Sequence, residues 1–126
     1  MEDQVIQIPE IQLKWYDWQF WPDIAEDARS SGIYIPNGTP GVYEAKHITQ
    51  EERLTIGKTT NLRYRVRQCL VKGNGLHSAG TKIRDNEHTD HIEVRWAETD
   101  RPAAVEEELH RLHKLKFGRL PKYTDH

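Results

Sequence analysis

The stretch Gly41–Arg67 (GVYEAKHITQEERLTIGKTTNLRYRVR) constrains the fold more than any other part of the chain. Two short strand-forming segments, Gly41–Lys46 and Arg53–Ile56, flank a polar link, and Gly57 closes the second. Val42 and Glu44 alternate with Tyr43 and Ala45, so the first segment offers one set of side chains to each face of a sheet. The link His47–Glu52 falls in the range of longer hairpin loops, which predicts an antiparallel pair. A Gly-Lys-Thr-Thr-Asn turn follows, with Thr60 or Asn61 as the cap of a helix. In Leu62–Val71 the apolar residues Leu62, Val66, Cys69 and Leu70 recur at helical spacing. That predicts an amphipathic helix with Arg63, Arg65 and Arg67 on or beside its polar side.

The rest of the chain reads as elements arranged around this unit. Residues 4–14 alternate apolar and polar, but Pro9 makes them an edge strand or an extended arm. Residues 15–22 (WYDWQFWP) hold five of the eleven aromatic residues and read as a segment wrapping one side of the core. Pro22, with Asp23, Glu26 and Asp27 after it, opens a short helix running to about Arg29. Gly73-Asn74-Gly75 breaks the chain, and Leu76–Ile83 reads as a second short helix carrying His77, Ser78 and Lys82. Ile92–Glu98 alternates as a third strand. A long helix, Pro102–Lys116, follows; its apolar stripe is Val105, Leu109, Leu112 and Leu115 or the Lys116 stem, and Gly118 stops it. The tail packs through Leu120 and Tyr123. No linker divides the chain, so residues 1–38 read as an extension packed on a core domain at 39–126.

Charge narrows the choice of partner. Residues 1–52 carry ten acids and three Lys or Arg, and residues 85–126 carry ten acids and seven. Residues 53–84 carry eight Lys or Arg and no acid. An acid-free basic run of this length is a candidate phosphate footprint, which the net charge of −2 conceals. The lone Cys69 excludes a disulfide framework or a cysteine zinc cluster within one chain. No apolar run reaches the ~20 residues of a membrane span, and MEDQVIQIPE lacks the layout of a secretory signal, so a cytoplasmic protein is expected.

Three residue types separated in sequence supply the elements of phosphodiester hydrolysis. Tyr43 offers a phenol that can take a proton from water once nearby cations lower its pKa from ~10 and populate the phenolate. Arg65 offers forked donors for a phosphate's developing charge. Glu106, Glu107 and Glu108 offer carboxylates for a divalent cation. Arg63, Arg67, Lys72, His77, Lys82 and Arg84 are the candidate nucleic-acid contacts. Gly57-Lys58-Thr59 lacks the glycine-rich lead-in of a nucleotide-binding loop.

The pattern Gly41-Val42-Tyr43, then Thr55-Ile56-Gly57-Lys58-Thr59-Thr60-Asn61-Leu62, then Arg65, resembles the GIY-YIG nuclease domain. The resemblance spans about residues 39–124. It implies an α+β fold with a three-stranded antiparallel sheet, at 41–46, 53–57 and 91–98, flanked by helices. It implies hydrolysis of DNA, with Tyr43 as general base or its proton-relay partner, Arg65 on the scissile phosphate, and one Mg²⁺ or Mn²⁺ on Glu106. Thr55 and Lys58 fall inside the second motif and join the catalytic set. Glu107 is the alternative metal ligand. The chain departs from the family pattern at Thr55, where the family carries a tyrosine, and at Thr124, where it commonly ends Pro-x-Tyr-Asn. These departures leave a catalytically weak or inactive DNA-binding relative as the alternative. RNA instead of DNA, and a partner-binding scaffold using Trp15–Trp21, are further readings.

Overall fold

The computed structural model describes residues 12–26 and 32–124. Strands β1 (Gln19–Phe20), β2 (Gly41–His47), β3 (Arg53–Thr59) and β4 (Ile92–Glu98) form one antiparallel sheet in the order β1-β4-β2-β3. The sheet therefore has four strands, not the three expected of the GIY-YIG-like reading. The additional strand comes from the aromatic run. Gln19 and Phe20 pair with Val94 and Glu93, Trp15 bridges Ala97, and the Tyr16 amide donates to the Trp96 carbonyl at 2.9 Å. These contacts satisfy backbone groups that the outer edge of β4 would otherwise leave open. Two paired residues ahead of Pro22 are too few to leave an alternating signal. The expected arm at residues 4–14 lies largely outside the described residues, as does the stretch from Asp27 to Arg29.

The sheet separates two cores. On one face Tyr43, Ala45, Val94 and Trp96 pack with Trp21, Ile24, Leu62, Val66, Leu70 and Ile83. These last six belong to α1 (Trp21–Ala25), a π-helix with its lead-in turn (Tyr64–Val71, preceded by Leu62 and Arg63) and α2 (Ser78–Asn86). On the other face Val42 and Ala97 meet Val105 of α3 (Pro102–Phe117), with Leu109 and Trp15 alongside. The aromatic run is thus divided. Trp21 is core, whereas Trp15 and Trp18 hold the Arg95 guanidinium between them at 4.0 and 4.6 Å.

Two helices differ from their sequence patterns. Residues 64–71 wind as a π-helix, with the Lys72 amide donating to the Arg67 carbonyl five residues back at 2.9 Å. Each residue of such a helix advances less around the axis than in an α-helix, which turns Arg67 and Val71 toward the interior. Arg67 is accordingly buried and does not lie on the polar side. In α3 the inward row is Val105, Leu109 and His113, an unbroken spacing of four. Leu112 and Leu115 are exposed, contrary to the expected stripe. The buried His113 ring bridges two segments: its Nε2 accepts the Arg53 amide at 3.1 Å and its Nδ1–H donates to the Arg119 carbonyl at 2.7 Å.

Glu87 ties the C-terminal segment to the body. It accepts from Tyr123 Oη at 2.5 Å, Lys122 Nζ at 2.9 Å and His47 Nε2 at 2.9 Å. Burial alone would raise its pKa; the hydrogen bonds from Tyr123, Lys122 and His47 outweigh burial and hold it at about 2. A carboxyl depressed in the folded state stabilises the fold above its unfolded pKa, and that contribution disappears as pH falls through the folded value. Glu87→Gln is expected to cost about 1–2 kcal/mol at pH 7, after allowance for solvent screening. Denaturant unfolding at a series of pH values should find the gap between variant and wild type closing between about pH 4.5 and pH 2. A gap that stays constant over that window would rule the clamp out. Among the described residues no helix is long and apolar enough to cross a membrane.

Candidate active site

A pocket of about 260 Å³ is lined by Tyr43, Thr55, Ile56, Gly57, Lys58, Arg65, His77 and Glu106. It lies at β3, an outer strand of the sheet, and draws residues from β2, β3, the π-helix, the loop before α2, and α3. All five residues expected to be catalytic from the sequence, Tyr43, Thr55, Lys58, Arg65 and Glu106, line it together. Glu107 is exposed and outside the lining, and Glu108 pairs with Arg111 at 2.6 Å on the helix surface. Glu106, the residue after the inward-facing Val105, lines the pocket, and Glu107 does not.

The two strands explain the glycines of both motifs. Tyr43 pairs with Gly57 across the ladder, so both point to the same face. A Cβ on Gly57 would fall 2.9 Å from Tyr43 Cε1 and nearer still to Cζ and Oη. The phenol ring therefore lies across the bare backbone of Gly57. Gly41 does the same for the neighbouring helix: a Cβ there would meet Leu62 Cδ1 at 2.7 Å and the Ala97 carbonyl closer yet. Thr55 pairs with Ala45, two residues along the same face, and is buried.

His77 completes the Tyr43 environment. Expected from the sequence to be a nucleic-acid contact, it is buried, and its Nε2 lies 2.7 Å from Tyr43 Oη. Its Nδ1 accepts the Gly80 amide at 3.0 Å and so caps the first turn of α2. A nitrogen that accepts an N–H carries no proton, so the proton of the neutral ring is on Nε2 and points at the phenol oxygen. The sequence left a trace of this role. His77 stands between a glycine-rich break and a helical segment, where a Ser, Thr, Asp or Asn cap would be usual.

Arg65 lines the same pocket. Burial alone would lower its pKa, but charge attraction and a hydrogen bond to the Tyr43 phenol outweigh this and raise it, with a smaller contribution from Cys69. Its Nη1 donates to the Leu76 carbonyl at 2.7 Å. The Tyr43 oxygen is thus approached by a guanidinium from one element and an imidazole N–H from another.

The basic block divides on inspection of its contacts. Arg63 Nε donates to the Ile35 carbonyl at 2.8 Å, and Arg84 donates to the carbonyls of Cys69, at 3.0 Å, and Leu70 at the end of the π-helix. Arg67 is buried, as above. All three are expected nucleic-acid contacts; Arg67 is buried by the π winding, Arg84 serves the carbonyl end of the π-helix, and Arg63 is tied to the Ile35 carbonyl, the latter two half-buried. Lys58, Lys72 and Lys82 are exposed.

Among the described residues no group of three or more His, Cys, Asp or Glu is placed to hold a metal ion. Glu106 is the single carboxylate lining the pocket. Magnesium commonly binds through one or two carboxylates together with water and substrate phosphate, so this donor set fits Mg²⁺ or Mn²⁺ shared with a phosphate. His110, one turn beyond Glu106, is engaged elsewhere, its Nε2 lying 3.1 Å from the Ile56 carbonyl. Compared with protein-family models, curated proteins and solved structures, the chain matches none.

Proposed function

We propose that this chain is a metal-dependent endonuclease that hydrolyses DNA phosphodiester bonds, a relative of the GIY-YIG nucleases. One observation carries the reading: the Tyr43 oxygen lies 2.7 Å from His77 Nε2 in a pocket that Arg65, Lys58 and Glu106 also line. A donor on the phenol oxygen and a guanidinium in the same pocket favour its phenolate form. The phenolate then takes a proton from water, and the resulting hydroxide attacks phosphorus as the ester P–O bond breaks. Arg65 has five N–H donors, and the Leu76 carbonyl occupies only Nη1, so capacity remains for a phosphate oxygen. Lys58 adds positive charge at the pocket wall. Glu106 would hold the divalent cation, which when bound supplies charge beside the leaving oxygen.

Thr55 favours a second reading, a DNA-binding relative with little or no hydrolysis. A short buried hydroxyl stands where the resembled motif carries a phenol. Plasmid nicking in added Mg²⁺ or Mn²⁺ separates the two. Glu106→Ala is expected to lower nicking by roughly a hundredfold or more, and Glu107→Ala to leave it near wild type. Equal nicking by Glu106→Ala and wild type would remove the metal assignment. Salt-dependent DNA binding with no nicking by wild type would select the second reading.

A further inference from the structure

Leu76 is 96% exposed, and a single exposed leucine ordinarily calls for no explanation. Its anchoring sets it apart. Its carbonyl is held by Arg65 at 2.7 Å, and the next residue, His77, is held by Tyr43 at 2.7 Å. Two residues earlier, the Asn74 amide donates to the Gln68 carbonyl at 2.7 Å, and Asn74 Nδ2 donates to Gln68 Oε1 at 2.9 Å. The backbone on both sides of Leu76 is therefore fixed to the pocket and to the π-helix, while its side chain stands in solvent. Tyr64, 54% exposed, lies next to it: a Cβ built on Gly75 would come within 2.9 Å of the Tyr64 hydroxyl. Exposed Lys72 precedes this loop and exposed Lys82 follows it on α2, with exposed Lys58 on the pocket wall.

We infer that Leu76 is a wedge that inserts between stacked base pairs of duplex DNA next to the phosphate in the Tyr43 pocket, with Tyr64 supporting the opened step. An apolar side chain standing out from a cationic rim matches the chemistry of a kinked duplex, in which uncharged base faces open between two phosphate backbones. Because Arg65, which lines the Tyr43 pocket, holds the Leu76 carbonyl, and the next residue, His77, holds the phenol, the wedge and the phenol are fixed to one framework, so insertion fixes which phosphate enters the pocket. This rests on the nuclease reading for its chemistry but not for its binding.

The test uses the whole chain and two measurements. First, metal is removed with a chelator, and the protein is mixed at low salt with a duplex carrying a fluorescent adenine analogue that brightens when unstacked. Wild type is expected to raise the signal several-fold, and Leu76→Ala to bind with little rise. Second, nicking in added metal is compared on intact duplex and on a duplex already opened by an unpaired bulge. Leu76→Ala is expected to nick intact duplex roughly tenfold more slowly, Leu76→Met to stay near wild type, and the bulge to restore the Leu76→Ala rate. Absence of brightening with wild type, or Leu76→Ala nicking intact duplex like wild type, overturns the wedge. Brightening without nicking of either substrate leaves the wedge standing and overturns the hydrolytic reading instead. No DNA binding at low salt overturns both.

Discussion

Tyr43→Phe is expected to lower plasmid nicking by about 10²- to 10⁴-fold, the usual contribution of a positioned general base, while costing only about 1 kcal/mol of stability. The ring and its packing on Gly57 are retained; only the oxygen bonded to His77, in the pocket that Arg65 lines, is removed. A large loss of rate with near-normal unfolding therefore reports on the oxygen itself. His77→Asn separates the two tasks of the histidine. Asparagine is a good N-cap and can take over the bond from the Gly80 amide, but it is too short to keep the Tyr43 contact as well. Its rate should lie between those of wild type and Tyr43→Phe, with α2 intact by circular dichroism. Nicking by Tyr43→Phe at the wild-type rate, in the same metal, would exclude the phenol as the proton acceptor.

The parts of this site that were readable before the fold was known are those fixed by local spacing. Tyr43 and Gly57 follow from two strands joined by a short link. Arg65 follows from its offset in the helix after Asn61. The first turns of a helix opened by Pro102 offer Glu106, Glu107 and Glu108, and the resemblance singles out Glu106. What was not readable depends on how distant segments meet. The π winding of residues 64–71 is set by packing, so a reading at α-helical period leaves Arg67 outside when it is buried. Strand β1 exists because β4 has an edge to cover, and two residues cannot announce that. In α3 the buried His113 replaces a leucine in the inward row because the Arg53 amide and the Arg119 carbonyl both need a partner there. Counting apolar residues selects Leu112 instead. The sequence places His77 on a short helix among the candidate nucleic-acid contacts, yet its role arises from a contact 34 residues away with Tyr43.

Gly57→Ala tests the same geometry without relying on any assay of DNA. The added methyl would fall within 3 Å of three atoms of the Tyr43 ring, so either the ring or strand β3 must shift. Overpacking of this kind costs roughly 1–3 kcal/mol. Removing the ring relieves the clash at the expense of a cavity. Tyr43→Ala alone should therefore be strongly destabilising, by about 3 kcal/mol or more, while Gly57→Ala added to Tyr43→Ala should cost much less than it does in wild type. Urea unfolding of the four proteins measures that difference, and strictly additive effects would mean that the ring does not lie across Gly57. The variant also bears on function. A ring pushed off Gly57 takes the phenol oxygen away from the His77 Nε2–H and from its place in the pocket with Arg65, so Gly57→Ala should nick as poorly as Tyr43→Phe. Lost stability with undiminished nicking would show that the position of the phenol, and with it the proposed proton transfer, does not set the rate.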